Sequence, residues 1–134
     1  MYRLSHTFTL DSAHFLPGYP GKCRNLHGHR WSITVSLSGQ KLNQQGMLID
    51  FQDVKQICKD QIISQLDHRL LNHTIQQPTA ENLSKWIYDR LKNQLPGLEA
   101  VLVCESPGQC ISYSLFSSSL INQKEDSTND PKSN

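Results

Sequence analysis

Two long stretches with a period of two constrain this chain more than anything else in it. Between residues 2 and 14, Tyr2, Leu4, Phe8, Leu10 and His14 share one parity, while Arg3, Ser5, Thr7, Thr9 and Asp11 share the other. The pattern resumes at His27: His29, Trp31, Ile33, Val35 and Leu37 fall on one side, and Arg30, Ser32, Thr34, Ser36 and Ser38 on the opposite side. An extended backbone gives this alternation, because its successive side chains point to opposite faces. The two stretches therefore predict strands over about 2–14 and 27–40, each with an apolar face for a core and a hydroxyl-rich face. Pro17, Gly18, Pro20 and Gly21 predict the loop between them, and Gly39, Asn43 and Gly46 the turns that end the second.

The same parity puts three histidines on core-facing positions. His27 and His29, two residues apart, point the same way, and His14 lies on the apolar side of the first strand. Three neutral imidazoles with a fourth position free form a catalytic zinc shell, whereas four protein ligands are usually structural. Cys23 leaves both possibilities open. As a thiolate it closes the shell, or it stands just outside as a base or nucleophile.

Further along, Asp50 is a good N-cap, and Phe51, Val54, Ile57, Cys58, Ile62 and Leu66 recur at three- and four-residue spacing, predicting a helix over about 51–66. Asp67 and His68 sit at its exit. Thr79 can cap a second helix whose stripe is Leu83, Trp86, Ile87, Leu91 and Leu95, stopped by Pro96-Gly97. Two short strands, near 101–104 and 111–115, flank a Pro107-Gly108 turn. The order ββααββ predicts an α+β domain with two helices on one face of an antiparallel sheet. Its exposed edges call for partners, hence an oligomer. From Ser117 to Asn134 the chain is polar and aperiodic, which predicts a disordered tail behind a single domain of residues 1–116.

Composition closes off several function classes. A net charge of +1 gives no reason to expect nucleic acid or an anionic membrane as a partner. No apolar run approaches the roughly 18 residues that span a bilayer, and the start lacks a signal-peptide layout, so the chain reads as cytoplasmic. Its four cysteines lack CxxC spacing. A disulfide framework is therefore not expected, and Cys58, Cys104 and Cys110 read as small buried apolar groups.

Taken together, Ser12-Ala13-His14, Cys23-x-x-x-His27-Gly28-His29, Leu66-Asp67-His68-x-x-Leu71-Asn72, Pro78-Thr79-x-Glu81-Asn82 and Glu105 give the chain a likeness to a known family. Over residues 2–116 it resembles the 6-pyruvoyltetrahydropterin synthase and 6-carboxytetrahydropterin synthase family. The interval from Cys23 to His27 looks like the carboxytetrahydropterin branch, which serves queuosine (7-deazaguanine) biosynthesis. The resemblance implies the tunnelling fold, in which ββααββ subunits join their sheets into a barrel, usually a homohexamer of two stacked trimers with active sites between subunits. It implies Zn2+ on His14, His27 and His29, Cys23 as the proton-abstracting residue, and Asp67 with His68 as its relay. Glu105 would hold the amino-pyrimidinone edge of the pterin, and Thr79 and Glu81 would line its pocket.

The implied reaction is a lyase conversion of 7,8-dihydroneopterin triphosphate to 6-carboxy-5,6,7,8-tetrahydropterin, releasing acetaldehyde and triphosphate. Within the family the alternative is 6-pyruvoyltetrahydropterin synthesis. An alternative of another class is a non-catalytic protein whose zinc is closed by one cysteine and three histidines. On their own, Asp67 and His68 read as a helix-exit ion pair, Thr79 and Glu81 as a capping pair, and Glu105 as a solvated strand end. Glu105 is followed by Ser106-Pro107-Gly108 where relatives often have a threonine.

Overall fold

A computed structural model of the chain describes residues 1–115; the tail expected from Ser117 lies outside the described residues. The elements are β1 (Tyr2–His14), β2 (His27–Gly39), α1 (Phe51–Cys58), a π-helical turn (Lys59–Ile63), α2 (Ser64–Leu66), α3 (Ala80–Leu91), β3 (Leu98–Ser106) and β4 (Gln109–Tyr113). The strands form one sheet in the order β1-β2-β3-β4, each pair antiparallel. Among the described residues, no helix is long and apolar enough to cross a membrane.

The alternating parity sorts the sheet into two faces. Leu10, Trp31, Ile33, Val35, Leu37, Val101 and Val103 are buried against Val54, Cys58, Ile62 and Leu66 of the first helical run and Leu83, Ile87 and Leu91 of α3. On the other face, hydroxyls meet across β1 and β2: Ser5 opposes Ser36, Thr9 opposes Ser32, and the Thr7 and Thr34 hydroxyls hydrogen-bond at 2.8 Å.

The helix expected over 51–66 is continuous but not uniform. Its buried positions, Val54, Cys58, Ile62 and Leu66, are four apart, and each such step overshoots a full α turn by roughly 40°. The wider π turn takes up that drift and keeps the stripe on the core. Asp50 caps α1 as expected, accepting from the Gln52 N–H at 2.8 Å, but Phe51 stays on the surface at 64% exposed. Thr79 caps α3 by accepting from the Asn82 N–H at 3.2 Å. After α3 the chain turns through Gly97 at φ +83°, where a Cβ would sit 2.4 Å from the Ser38 carbonyl oxygen, so only glycine fits.

The segment between the helices is stitched to the free edge of β1. The His68 and Ala13 N–H groups donate to the carbonyls of Asp11 and Arg69, and the Asp11 N–H donates to Asp67 Oδ1 at 2.9 Å. The Ser12 hydroxyl donates to the Leu66 carbonyl at 2.7 Å, and Asn72 bonds both the N–H and the C=O of Phe15. This end of β1 is thereby covered and carries Asp67 and His68 with it.

The cysteine expectation needs correcting. Cys58 is buried, and burial pushes its thiol up to about 12, but Cys104 and Cys110 are joined in a disulfide. The register explains it: the two face each other across β3 and β4, with Cα atoms 4.0 Å apart. They are half-buried and exposed respectively, on the face opposite Val103, not in the core.

Candidate metal centre

The ends of β1 and β2 bring the three histidines together. His14 pairs with His27 and Ser12 with His29 in the β1–β2 register, and strand parity turns all three rings to the core side. Ring centroids are 4.5 Å apart for His14 and His27, 5.2 Å for His14 and His29, and 4.8 Å for His27 and His29. Trp31 forms the floor, its ring edge-on to both His14 and His29.

Two rings are held by backbone carbonyls on the side away from the cluster. His14 Nδ1 lies 2.8 Å from the Pro78 oxygen, and His27 Nδ1 lies 2.7 Å from the Asn25 oxygen. A carbonyl can only accept, so each Nδ1 carries the proton and each neutral ring presents a bare Nε2. Those two Nε2 atoms are 3.0 Å apart. Facing lone pairs at that distance repel unless a cation lies between them. A proton is a poor candidate, because burial pulls the His14 pKa down, and the net shift stays downward although the Pro78 carbonyl and Glu105 act to raise it.

The fourth member of the cluster is Glu105, at the register shift of β3 between Cys104 and Ser106. Its Oε1 lies 2.8 Å from His29 Nε2 and 3.6 Å from His14 Nε2. Despite that contact, the buried His29 nitrogen has no hydrogen-bond partner. One ligand atom from each of His14, His27, His29 and Glu105 lies within 4.8 Å of the others. Bare, inward-facing nitrogens, an orphaned buried Nε2 and a carboxylate are a donor set that suits a divalent metal, zinc in particular. Carbonyl bonds to the far nitrogens are what fix ligating imidazoles in such centres.

The other expected site residues fall in three places. Asp67 and His68 adjoin an open cleft of about 590 Å³, which His68 lines together with Asp11, Ser12, His29, Arg30 and Arg69. His68 Nδ1 bonds Asp67 Oδ2 at 2.8 Å, so Asp67 orients this imidazole, which is exposed at the cleft and held in the left-handed region at φ +56°. Burial raises the Asp67 pKa, but the Asp11 N–H and the His68 ring outweigh it and the carboxyl ends below its ordinary value. Arg30 is paired with Asp11 at 2.8 Å. Cys23 is half-buried in a short 3-10 turn (Lys22–Arg24) and is not among the four clustered side chains. Thr79 spends its hydroxyl on capping α3, with Glu81 exposed in the first turn of that helix, while the adjacent Pro78 carbonyl holds His14.

Comparison with known proteins finds relatives over most of the chain. Residues 3–115 match the family model described as 6-pyruvoyl tetrahydropterin synthase. A 6-carboxy-5,6,7,8-tetrahydropterin synthase of Haemophilus influenzae is 31% identical, covering 84% of this chain and 99% of the relative. One of Synechocystis is 34% identical, covering 84% and 93%. In fold, the 6-pyruvoyl tetrahydropterin synthase of Caenorhabditis elegans superposes with a TM-score of 0.77 at 23% identity, over 85% of this chain and 95% of that one. On its sequence match, its sheet-and-helix fold and the relatives it resembles, the chain belongs to the 6-pyruvoyl tetrahydropterin synthase family.

Proposed function

We propose that this protein is a zinc-dependent 6-carboxytetrahydropterin synthase, a lyase of the cytoplasm acting on 7,8-dihydroneopterin triphosphate in queuosine biosynthesis. The observation that carries the reading is the convergence of three Nε2 atoms and the Glu105 carboxylate on one point. The 6-carboxy relatives named above favour this branch over 6-pyruvoyl synthesis. The gathering of Glu105 rather than Cys23 with the histidines favours this reading over a zinc closed by cysteine.

His14, His27 and His29 would hold the ion, whose Lewis acidity when bound would polarise the hydroxyls of the substrate side chain. Cys23 would take the proton from the adjacent carbon as its thiolate. His68, fixed by Asp67, has one nitrogen committed to the carboxylate and the other free at an open cleft, which suits proton exchange with the reacting groups. Glu105 would accept two parallel hydrogen bonds from the amino group and ring N–H of the pterin. Thr79 and Glu81 would border the pocket next to the Pro78 turn.

Assembly belongs to the same proposal. Among the described residues, β4 and the part of β1 before Asp11 leave edges that a neighbouring copy can extend, and the hydroxyl-lined face has no helix over it. Closure of such sheets into a hexamer of two stacked trimers would bring subunits together around each site. Incubating the pure protein with 7,8-dihydroneopterin triphosphate and identifying the products by mass tests the reading. A 6-carboxy pterin with acetaldehyde is the expected result; a 6-pyruvoyl product would move the protein to the other branch.

A further inference from the structure

Glu105 has two claims on it. Pterin anchoring needs its carboxylate free, yet that carboxylate lies against His29 and His14, at 2.8 and 3.6 Å. We propose that Glu105 is an exchangeable fourth ligand: it closes the metal shell in the empty enzyme and leaves it when a pterin arrives. The inference rests on the pterin-anchoring role given above and adds what that carboxylate does beforehand.

Charge and coordination both favour this arrangement. Three neutral imidazoles leave a divalent ion uncompensated in a site where His14 is 1% exposed, and an adjoining carboxylate offsets part of that cost. A four-ligand shell is closed and inert, whereas a three-ligand shell is open to substrate. The ligand that must depart is then the group the incoming heterocycle recruits, so only a molecule with an amino-pyrimidinone edge opens the fourth position.

Tethering points to the same residue. His14 and His27 are pinned by the Pro78 and Asn25 carbonyls, whereas Glu105 has polar contacts among the described residues only with the histidines. Its side chain has three rotatable bonds on a fixed strand. Unlike His14 and His27, it can move without breaking a hydrogen bond to the backbone.

The test uses zinc and 6-methylpterin, which carries the recognition edge but no side-chain hydroxyl to reach the metal. In the wild type, saturating zinc should weaken 6-methylpterin binding several-fold, and the pterin should weaken zinc binding by the same factor. Glu105→Gln should weaken zinc binding roughly tenfold or more, as even losses outside the ligand shell cost 10–100-fold, and should abolish the coupling. The cobalt-substituted wild type should show the strong visible bands of a four-coordinate ion, altered by 6-methylpterin; the Glu105→Gln spectrum should differ at the outset.

Zinc affinity and cobalt bands unchanged in Glu105→Gln would overturn the ligand assignment while leaving pterin anchoring intact. Wild-type 6-methylpterin affinity indifferent to zinc would overturn the exchange. If 6-methylpterin binds neither apo nor zinc-loaded wild type, pterin anchoring falls and the exchange with it. Should Glu105→Gln not fold, the wild-type linkage and cobalt measurements decide alone.

Discussion

His14 and His27 present their Nε2 atoms to each other at 3.0 Å, while the Nδ1 of each is bound to a backbone carbonyl. Neither ring can turn its proton inward without giving up a carbonyl partner, so the pair is arranged for an ion that accepts lone pairs.

Metal removal should therefore cost stability as well as activity. A ligand that binds only the folded state at 100 times its dissociation constant adds about 2.7 kcal/mol. Thermal unfolding with zinc against a chelator should show a higher midpoint with zinc, and His27→Ala should erase most of the difference.

Cys23 is free, half-buried and outside the clustered ligands. Cys23→Ala should keep zinc content near one per chain while turnover falls by roughly 10²–10⁴-fold, the usual contribution of a proton-transfer group. Zinc content by mass spectrometry checks this: loss of metal together with activity would make Cys23 a ligand.

His68 occupies the left-handed region at φ +56°, a conformation costing a non-glycine residue about 1–2 kcal/mol. His68→Gly relieves that strain but adds backbone entropy to the unfolded chain, so its unfolding free energy from urea titration should stay within about 1 kcal/mol of the parent. Turnover should collapse all the same. A large stability loss in the glycine variant would mean that the ring, not the turn, holds this segment.

Asp67 supplies a pH signature. Its folded pKa is depressed, so the stability it contributes is present above the ordinary carboxylate value and is lost as pH falls through the lower folded value. Asp67→Asn should flatten that acid limb of a stability-versus-pH curve. Unfolding midpoints measured from neutral pH down to about pH 2, below the reference Asp value near 3.9, read the difference.

The hairpin disulfide encloses a short loop, its cysteines six residues apart. Loop-closure entropy for that length amounts to about 2 kcal/mol. Cys104→Ser should lower stability by up to that amount, and a reducing agent should lower the wild type to match.

How much of this was legible in the sequence follows from the range of each interaction. Strand parity alone placed His14, His27 and His29 on one side, and Asp50 and Thr79 announced their helices, because caps and alternation are local. Phe51 fitted the helical spacing yet lies outside, in a first turn whose residues 51–53 are all exposed ahead of the buried Val54. The docking of Asp67 and His68 on β1 spans 56 residues and leaves no periodic trace. The nearness of Glu105 to His29 depends on the β2–β3 register, which one strand's residues do not specify. The Cys104–Cys110 bond did have a signal: the cysteines nearly mirror each other about Pro107-Gly108, offset by the one extra residue of the register shift.

The bond from His14 to the Pro78 carbonyl ties the cluster to the residue just before the α3 cap. A ring clamped on one side by an ion and on the other by the peptide entering a helix transmits occupancy as rigidity. Amide protons in the first turn of α3 should therefore exchange with solvent more slowly when the centre is filled, making that helix a gauge of the metal it never touches.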